Sequence, residues 1–240
     1  MSLRRLACLL AMVSMVVFLA CGTGGGGDDD DDDDQTYTLS FPLMDGVSWT
    51  YDCVKTFPDS LGVPDSNYVL VKSIDGLVVP PFDTIGYVQP SYPPTLAWFR
   101  QYDADSSFFF NDGNYAWFGQ MDPTIAGFGA NPFVPLRVVP LSFTIGDTFT
   151  TLVHKQIGPL SANITFHIEV AGVENVTVPA GTFNNCARLE MILAVSFGND
   201  TTLSTLWCAN NIGVVKRHDY YDTNKGETYY EELTSYDVTP

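Results

Sequence analysis

Residues 187–197 read ARLEMILAVSF, with an apolar side chain at every second position. Successive side chains of a β-strand point to opposite faces of a sheet, so an alternation of period two places all apolar members on one face. Those members are Ala187, Leu189, Met191, Leu193, Val195 and Phe197. Arg188 and Glu190 fall on the other face. The pattern therefore predicts a strand with one buried side.

Turn-forming residues on both sides of this strand predict further antiparallel neighbours. Upstream, residues 164–170 read ITFHIEV and alternate in the same way, and Gly172 is expected to end that strand. Downstream, short β-branched and aromatic runs alternate with Gly, Asn and Asp. Strands are predicted at 202–209, 212–221 and 227–238, with turns at 198–200, 210–211 and 224–226. Sequential strands joined by tight reversals form an antiparallel meander.

The first half of the chain is interrupted by proline. Residues 58–140 hold most of the prolines, together with aromatic clusters at 108–110 and 117–118. Because proline lacks the amide hydrogen that a central strand donates, we expect short edge strands joined by long proline- and aromatic-rich loops. No long stretch has the 3.6-residue apolar period of a helix. The chain is therefore predicted to be an all-β protein with antiparallel strands.

The first twenty residues have the layout of an export signal. Arg4 and Arg5 precede the uncharged, largely apolar residues 6–20, which are too short to cross a bilayer as a helix. Residues 18–21 read FLAC and resemble the bacterial lipobox, which implies that Cys21 is acylated with fatty chains such as palmitate. Gly22 resembles the residue found in lipoproteins that are sent to the outer membrane. Ordinary cleavage that leaves a free Cys21 is the alternative.

The segment after Cys21 predicts a solvated tether. Glycines up to residue 27 are followed by an unbroken run of aspartate at 28–34. Glycine resists ordering and like charges repel, so such a segment stays extended. We therefore expect a lipoprotein signal peptide at 1–20, a lipid-anchored tether at 21–36 and a single β-rich domain at 37–240. The expected localisation is the cell envelope, at the outer membrane, where the lipid anchor would contact the bilayer.

The net charge of the chain disfavours one class of partner, and its cysteine count bears on disulfide bonding. The chain has 11 basic and 28 acidic residues, a net charge of −17, which disfavours nucleic acid as a partner because phosphates would be repelled. Within the predicted domain the cysteines are Cys53, Cys186 and Cys208, an odd number. An exported protein favours one disulfide and one buried thiol, with the connectivity left open.

Two phrases resemble a family of poorly characterised bacterial lipoproteins. Residues 41–51, FPLMDGVSWTY, are similar to the opening strand FPLxxGxxWxY of that family. Residues 178–183, VPAGTF, with Cys186 and the later phrase IGVVK at 212–216, are similar to its second signature. Independently of the family, Pro179 and Gly181 predict a turn between two strands.

The resemblance carries expectations about fold and cysteines. It implies a strongly curved antiparallel sheet or an open β-barrel, and it transfers no catalytic residues. Cys208 stands where an aromatic residue is common in the family, which implies that Cys208 is paired. The disulfide is thus expected between Cys186 and Cys208, or between either of them and Cys53.

Groups that could support chemistry are few. His167 and Glu169 would share one face of a strand, and His154 could complete a metal site, although a satisfied surface histidine is the usual outcome for such a pair. His218 and Asp219 are adjacent, so they point to opposite faces. The acid pairs Asp103 with Asp105 and Glu231 with Glu232 could serve as acid and base in a sugar-cleaving site, but solvated surface positions are the expected outcome for them. A calcium loop is conceivable at 111–114. No catalytic residue, metal ligand or cofactor is assigned.

The sequence favours a non-enzymatic envelope protein whose β-domain is a binding or interaction module, for an apolar ligand or another envelope protein. The aromatic content would suit a cavity inside a curved sheet, although core packing explains it equally well. A glycan hydrolase with acidic catalytic residues is the alternative from another class. A purely structural surface protein is the third.

The mature protein is expected to begin at Cys21 and to carry fatty-acyl mass on that residue. Intact-mass spectrometry of protein purified from cells measures both properties. A protein that retains residues 1–20, or whose first residue lacks the acyl mass, would contradict the predicted anchor.

Overall fold

The computed structural model describes residues 35–58, 62–78, 96–100, 107–111, 115–121, 133–157, 160–195, 201–221 and 226–239. The export signal, Cys21, the acidic run and the pair Asp103 and Asp105 lie outside these ranges. So do Phe197 of the predicted apolar face, the turn at 198–200, residues 224–225 of the next predicted turn and residues 112–114 of the conceivable calcium loop. Within them the chain forms strands and no helix, and thus contains no helical segment able to span a bilayer. The strands are β1 Tyr37–Thr38, β2 Ser48–Thr56, β3 Ser66–Val78, β4 Leu96–Arg100, β5 Ser107–Asn111, β6 Tyr115–Met121, β7 Phe133–Pro140, β8 Ser142–Phe143, β9 Thr148–Ile157, β10 Leu160–Val178, β11 Gly181–Val195, β12 Thr201–Ala209, β13 Gly213–Tyr221 and β14 Glu227–Asp237.

Twelve of the described strands form one antiparallel sheet. Their order is β7-β6-β5-β4-β3-β2-β14-β13-β12-β11-β10-β9, while β1 pairs with β8 in a separate two-stranded ribbon. In this large sheet every pair of neighbouring strands is also consecutive in the chain, except the pair β2 and β14. The predicted all-β antiparallel class is confirmed, and so is the order of the four predicted meander strands, β11 to β14, which continues through β10 to β9.

The sheet is strongly curved. The turn between β10 and β11 reaches β14, three strands away from β11, where the Ala180 amide donates to the Leu233 carbonyl at 2.9 Å. The two outermost strands, β7 and β9, approach within 8 Å between Cα atoms. They are not joined by a ladder in the described part of the chain, so the sheet remains open. This is the curved, open arrangement that the family resemblance implied.

One face of the curved sheet, called the inner face below, contains the core. In β2 the side chains of Trp49, Tyr51 and Cys53 are buried in alternation with more exposed neighbours. On the far side of the sheet β11 buries Ala187, Leu189 and Met191, which confirms the predicted apolar face of this strand. The buried residues form two apolar clusters, one centred on β2, β3 and β14 and the other on β10 to β12.

The segment that leads into β2 closes one end of the inner face. Leu39 is buried in the second cluster, Phe41 packs against the same cluster, and Leu43 packs against the first. The Leu39 amide donates to the Leu141 carbonyl at 2.8 Å, which extends the pairing of β1 with β8. The Asn211 amide donates to the Ser40 carbonyl, also at 2.8 Å. These hydrogen bonds fix the segment across the end of the sheet.

The expectation of edge strands in the first half is wrong for most of that region. Strands β4, β5 and β6 are short, but each has a neighbour on both sides. They contain no proline, so their amide hydrogens are available to both ladders. The prolines that fall within described strands are Pro135 and Pro140, both in the edge strand β7. The rule that proline is excluded from central strands holds here, but it does not apply to the proline-free segments between the prolines.

Gly172 does not end a strand as expected. Strand β10 continues through it to Val178, and the register with β11 shifts between Val170 and Gly172. Such a shift is a β-bulge, in which one extra residue is left unpaired and the strand bends. Glycine inside a strand commonly marks a bulge. The bulge contributes to the curvature of β10.

Replacing Gly213 by alanine is expected to lower the free energy of unfolding by about 1–2 kcal/mol, because its φ of +101° is unfavourable for a residue with a Cβ atom. Gly172→Ala is the matched control, since its Cβ would meet open space and its φ is not positive. Urea denaturation measures both. Equal effects of the two substitutions would contradict the strain expected from the positive φ of Gly213.

Candidate functional site

A cluster of charged and polar side chains lies on the inner face, where it shares Tyr51, Cys53 and Tyr229 with the first apolar cluster. Its members, called the polar cluster below, are Tyr51, Cys53, Lys72, Arg217, Asp219, Tyr229 and Glu231. Alternation within β13 and β14 directs their odd-numbered residues inward, and the register pairs Glu231 with Cys53 on one side and with Arg217 on the other. The polar cluster is thus assembled from four adjacent strands.

Lys72 and Glu231 form a buried ion pair at the centre of the polar cluster. The ammonium contacts Glu231 Oε1, and the two side chains are 9% and 0% exposed. The Tyr229 hydroxyl donates to Glu231 Oε2 at 2.8 Å and lies 3.2 Å from Cys53 Sγ. The Lys72 ammonium also lies 4.4 Å from the centre of the Tyr51 ring, a cation–π contact. Both oxygens of this carboxylate are therefore engaged.

The surroundings of this pair alter several protonation equilibria. Burial lowers the pKa of Lys72, and the Glu231 carboxylate opposes that change. Burial, followed by the negative charge of Glu231, raises the pKa of both Tyr51 and Tyr229. Burial likewise raises the pKa of the Cys53 thiol. The two phenols and the thiol are therefore neutral hydrogen-bonding groups at physiological pH.

Arg217 and Asp219 form a second pair on β13. Arg217 Nε donates to Asp219 Oδ1 at 2.8 Å, and Nη2 lies 2.6 Å from Oδ2. This two-point contact fixes the plane of the guanidinium group. The guanidinium carbon also lies 5.7 Å from the centre of the Tyr229 ring, which connects this pair to the first.

The inner face is consequently divided into two halves. Strands β10 to β12 contribute apolar side chains, whereas β3, β13 and β14 contribute two cations and two anions. Removing charges from water costs several kcal/mol per ion unless partners compensate for it. Each charge here has an opposite charge in contact, so the polar cluster is neutral and held in one geometry.

The strand register separates His154 from His167, the two histidines considered as metal ligands. The register pairs His154 with Asn163 and His167 with Thr150, so the two histidines lie four residues apart along the β9–β10 ladder, about 13 Å. His167 Nδ1 instead contacts the Thr150 hydroxyl at 2.9 Å. Among the described residues no group of three or more His, Cys, Asp or Glu could hold a metal ion.

The two adjacent pairs considered from sequence separate as strand geometry requires. Asp219 points inward, whereas His218 stacks on the Tyr230 ring at 3.9 Å on the outer face. Glu231 is buried, and Glu232 points outward to Lys216 at 2.7 Å. The interpretation of both glutamates as surface residues was therefore wrong for Glu231.

Sequence reasoning missed the polar cluster, although a signal was present. In β13 and β14 charged residues occupy the same alternating positions as the buried residues Val215 and Leu233. A charged side chain in the phase of the core requires a buried partner. Its partner could not be identified, because Lys72 lies 159 residues from Glu231 in the chain.

The three cysteines are buried free thiols in the structure. Cys186 and Cys208 lie on neighbouring strands, where Cys208 pairs with Ala187. Burial raises the pKa of Cys186 to about 11 and raises that of Cys208 further. Cys53 belongs to the polar cluster on β2. The disulfide between Cys186 and Cys208, or between either of them and Cys53, stays a prediction.

The two phrases of the family resemblance meet at one end of the sheet. Trp49 Nε1 donates to the Ile212 carbonyl at 2.7 Å, and the Tyr51 hydroxyl donates to the Val214 carbonyl at 2.8 Å. The Phe41 ring lies beside Gly213, 3.6 Å from the place that a Cβ atom would occupy. These contacts have structural roles, since each aromatic side chain ties β2 or its leading segment to the backbone around β13.

Replacing Glu231 by glutamine is expected to lower the free energy of unfolding by about 3 kcal/mol, because the Lys72 ammonium loses its buried counter-charge. The double variant Lys72→Met, Glu231→Leu should recover most of that loss, since no unpaired charge remains. Glu227→Gln, which breaks the partly exposed pair with Lys55, is the matched control and should cost under about 1 kcal/mol. Chemical denaturation at pH 7 compares the free energies of unfolding of the three variants. Similar effects of Glu231→Gln and Glu227→Gln would contradict the assignment of Lys72 and Glu231 as a buried ion pair.

Comparisons with known proteins cover the second half of the chain best. Residues 150–233 match the protein family described as DUF3108-like, a range that includes the second phrase of the resemblance but not the first. No curated protein matches the chain. One similar solved structure is a lipoprotein candidate from Parabacteroides distasonis, with 17% identity and a TM-score of 0.41 over 83% of this chain and 99% of that one. Another is an exported-protein candidate with a YmcC-like fold from Bacteroides fragilis, with 16% identity and a TM-score of 0.41 over 84% of this chain and 100% of that one. The part of the chain that contains Arg217, Asp219 and Glu231 is thus similar to DUF3108-like proteins.

Proposed function

We propose that this protein is a lipid-anchored component of the cell envelope whose inner face binds an apolar ligand. The anchor is Cys21 and the expected membrane is the outer one, on the basis of the leader sequence and Gly22. The aspartate-rich tether would hold the β-domain in solvent near the bilayer. A binding domain at that position could take up or present a molecule of low solubility.

The observation that carries this proposal is the buried polar cluster beside the apolar half of the inner face. A sheet that served only as structure could fill the same positions with apolar side chains at equal or better stability. Three of the four charges, those of Lys72, Asp219 and Glu231, are buried, and removing a charge from water costs free energy. Such groups are typical of binding sites, where a few polar groups orient a ligand within apolar surroundings.

Glycan hydrolysis has less support. A glycosidase needs one carboxyl group as proton donor and a second as base or nucleophile, both facing the substrate. Glu231 is occupied by Lys72 and Tyr229, and Asp219 is occupied by Arg217. Neither acid is presented to a substrate in this arrangement.

Leu193→Trp is expected to weaken binding of the neutral apolar dye N-phenyl-1-naphthylamine at least about tenfold, because Leu193 is half-buried on the inner face and a larger ring would occupy ligand space. Ile192→Trp is the matched control, since the preceding residue is exposed on the outer face. Fluorescence titration measures both affinities.

The same titration separates binding from a purely structural role. A wild-type protein that does not bind the dye would contradict the proposal, as would equal effects of the two tryptophan variants. Native mass spectrometry of the protein purified from cells adds a direct test, because a retained apolar molecule would appear as added mass.

A further inference from the structure

His218 lies on the outer face of the sheet between two tyrosine rings. The centre of its ring lies 3.9 Å from that of Tyr230, with the ring planes 16° apart, and 4.2 Å from that of Tyr220. His218 Nε2 is buried and has no hydrogen-bond partner in the part of the chain that the structure describes. From this arrangement we propose that His218 makes the pairing of β13 with β14 sensitive to acid, because protonation of its imidazole weakens that pairing.

The site fits a neutral imidazole and does not fit an imidazolium. A neutral imidazole carries one N–H group, so its other nitrogen can stay unprotonated. Protonation places an N–H group on both nitrogens, and Nε2 of His218 would then be a charged donor without an acceptor. Burying an unsatisfied donor costs free energy in the folded state, whereas water solvates the same group in the unfolded chain. The attraction of the cation for the Tyr230 ring opposes this cost, but it supplies no acceptor to Nε2.

The charged groups around His218 are already paired with one another. The register places these side chains beside it on the outer face: Lys216 and Tyr220 on β13, Tyr230 and Glu232 on β14, and Leu203, Thr205 and Trp207 on β12. Glu232 is bound by Lys216 at 2.7 Å. Asp219 lies behind the ring on the inner face and is bound by Arg217. Among the described residues, the two carboxylates next to His218 are therefore both engaged by other cations.

These surroundings determine the direction of the pH dependence. Burial lowers the pKa of His218 from its ordinary value of 6.5, the negative charge of Asp219 opposes that change, and the positive charge of Lys216 adds to it. The unfolded chain therefore binds the proton more readily than the folded protein does. This group leaves the free energy of unfolding unaffected well above pH 6.5 and lowers it as the pH falls below that value.

The effect of acid extends to the polar cluster, because the same two strands carry it. Arg217 and Asp219 flank His218 on β13, and the partner of His218 on β14 is Tyr230, which lies between Tyr229 and Glu231. The ladder that His218 would weaken is thus the one that positions these four inward-facing side chains. The inference is independent of the proposed ligand.

The test is urea denaturation of the wild-type protein and of His218→Phe at pH 7.5 and at pH 5.5. Phenylalanine keeps a ring between the two tyrosines and cannot be protonated. The fall in the urea midpoint from pH 7.5 to pH 5.5 should be smaller in His218→Phe than in the wild-type protein by at least about 0.3 M. His218→Gln, which also cannot be protonated, should show the same reduction.

His167→Phe is the matched control. His167 is also a histidine on the outer face, but its Nδ1 has the Thr150 hydroxyl as a partner at 2.9 Å. This variant should retain the wild-type fall in the midpoint. Equal falls in the wild-type protein, His218→Phe and His218→Gln would overturn the inference.

An NMR titration of the wild-type protein tests the same property without any substitution. The imidazole C–H signals of His218, assigned through its backbone resonances, should titrate with a midpoint below pH 6.5. A midpoint at or above pH 6.5 would overturn the inference. This measurement remains decisive if neither His218 variant folds.

Discussion

The requirement that a sheet bury its apolar face shapes this molecule. A β-sheet with one apolar side must cover that side with another layer or with itself. In the described residues no helix is available and the second sheet is only a two-stranded ribbon, so the large sheet curls around its own inner face. The hydrogen bond from Ala180 to Leu233 shows how far the sheet curls, since it joins the turn between β10 and β11 to β14, which lies three strands from β11 and four from β10.

The same curvature determines where the polar cluster lies. Tyr51 on β2 reaches across β14 to the Val214 carbonyl on β13, and Trp49 makes a similar reach to Ile212. Such contacts skip a strand, which is possible only on the concave side of a bent sheet. They hold β2, β14 and β13 in register at the place where Lys72, Glu231 and Arg217 converge. The contacts that stabilise the curvature and those that order the charges are therefore contiguous.

The charge distribution differs between the whole chain and its interior. The chain is strongly acidic, with a net charge of −17, yet the inner face is neutral and carries two ordered cations. Exposed charges separated by more than about 8 Å are largely screened at physiological ionic strength, whereas a group in direct contact is not. The charges of the polar cluster therefore interact mainly with one another, and much less with the acidic exterior.

By itself the sequence determined the local features of the fold. Alternation at 187–197 identified the buried face of β11, and the turns around Pro179 and Asn210 identified the meander, because strand periodicity and turn chemistry depend on adjacent residues. The tertiary structure alone decided the long-range features. It placed β4 to β6 inside the sheet, made Gly172 a bulge within β10, and brought Lys72 to Glu231 across 159 residues. Those outcomes depend on which strands pair and how far the sheet bends, and neither is encoded in the spacing of neighbouring side chains.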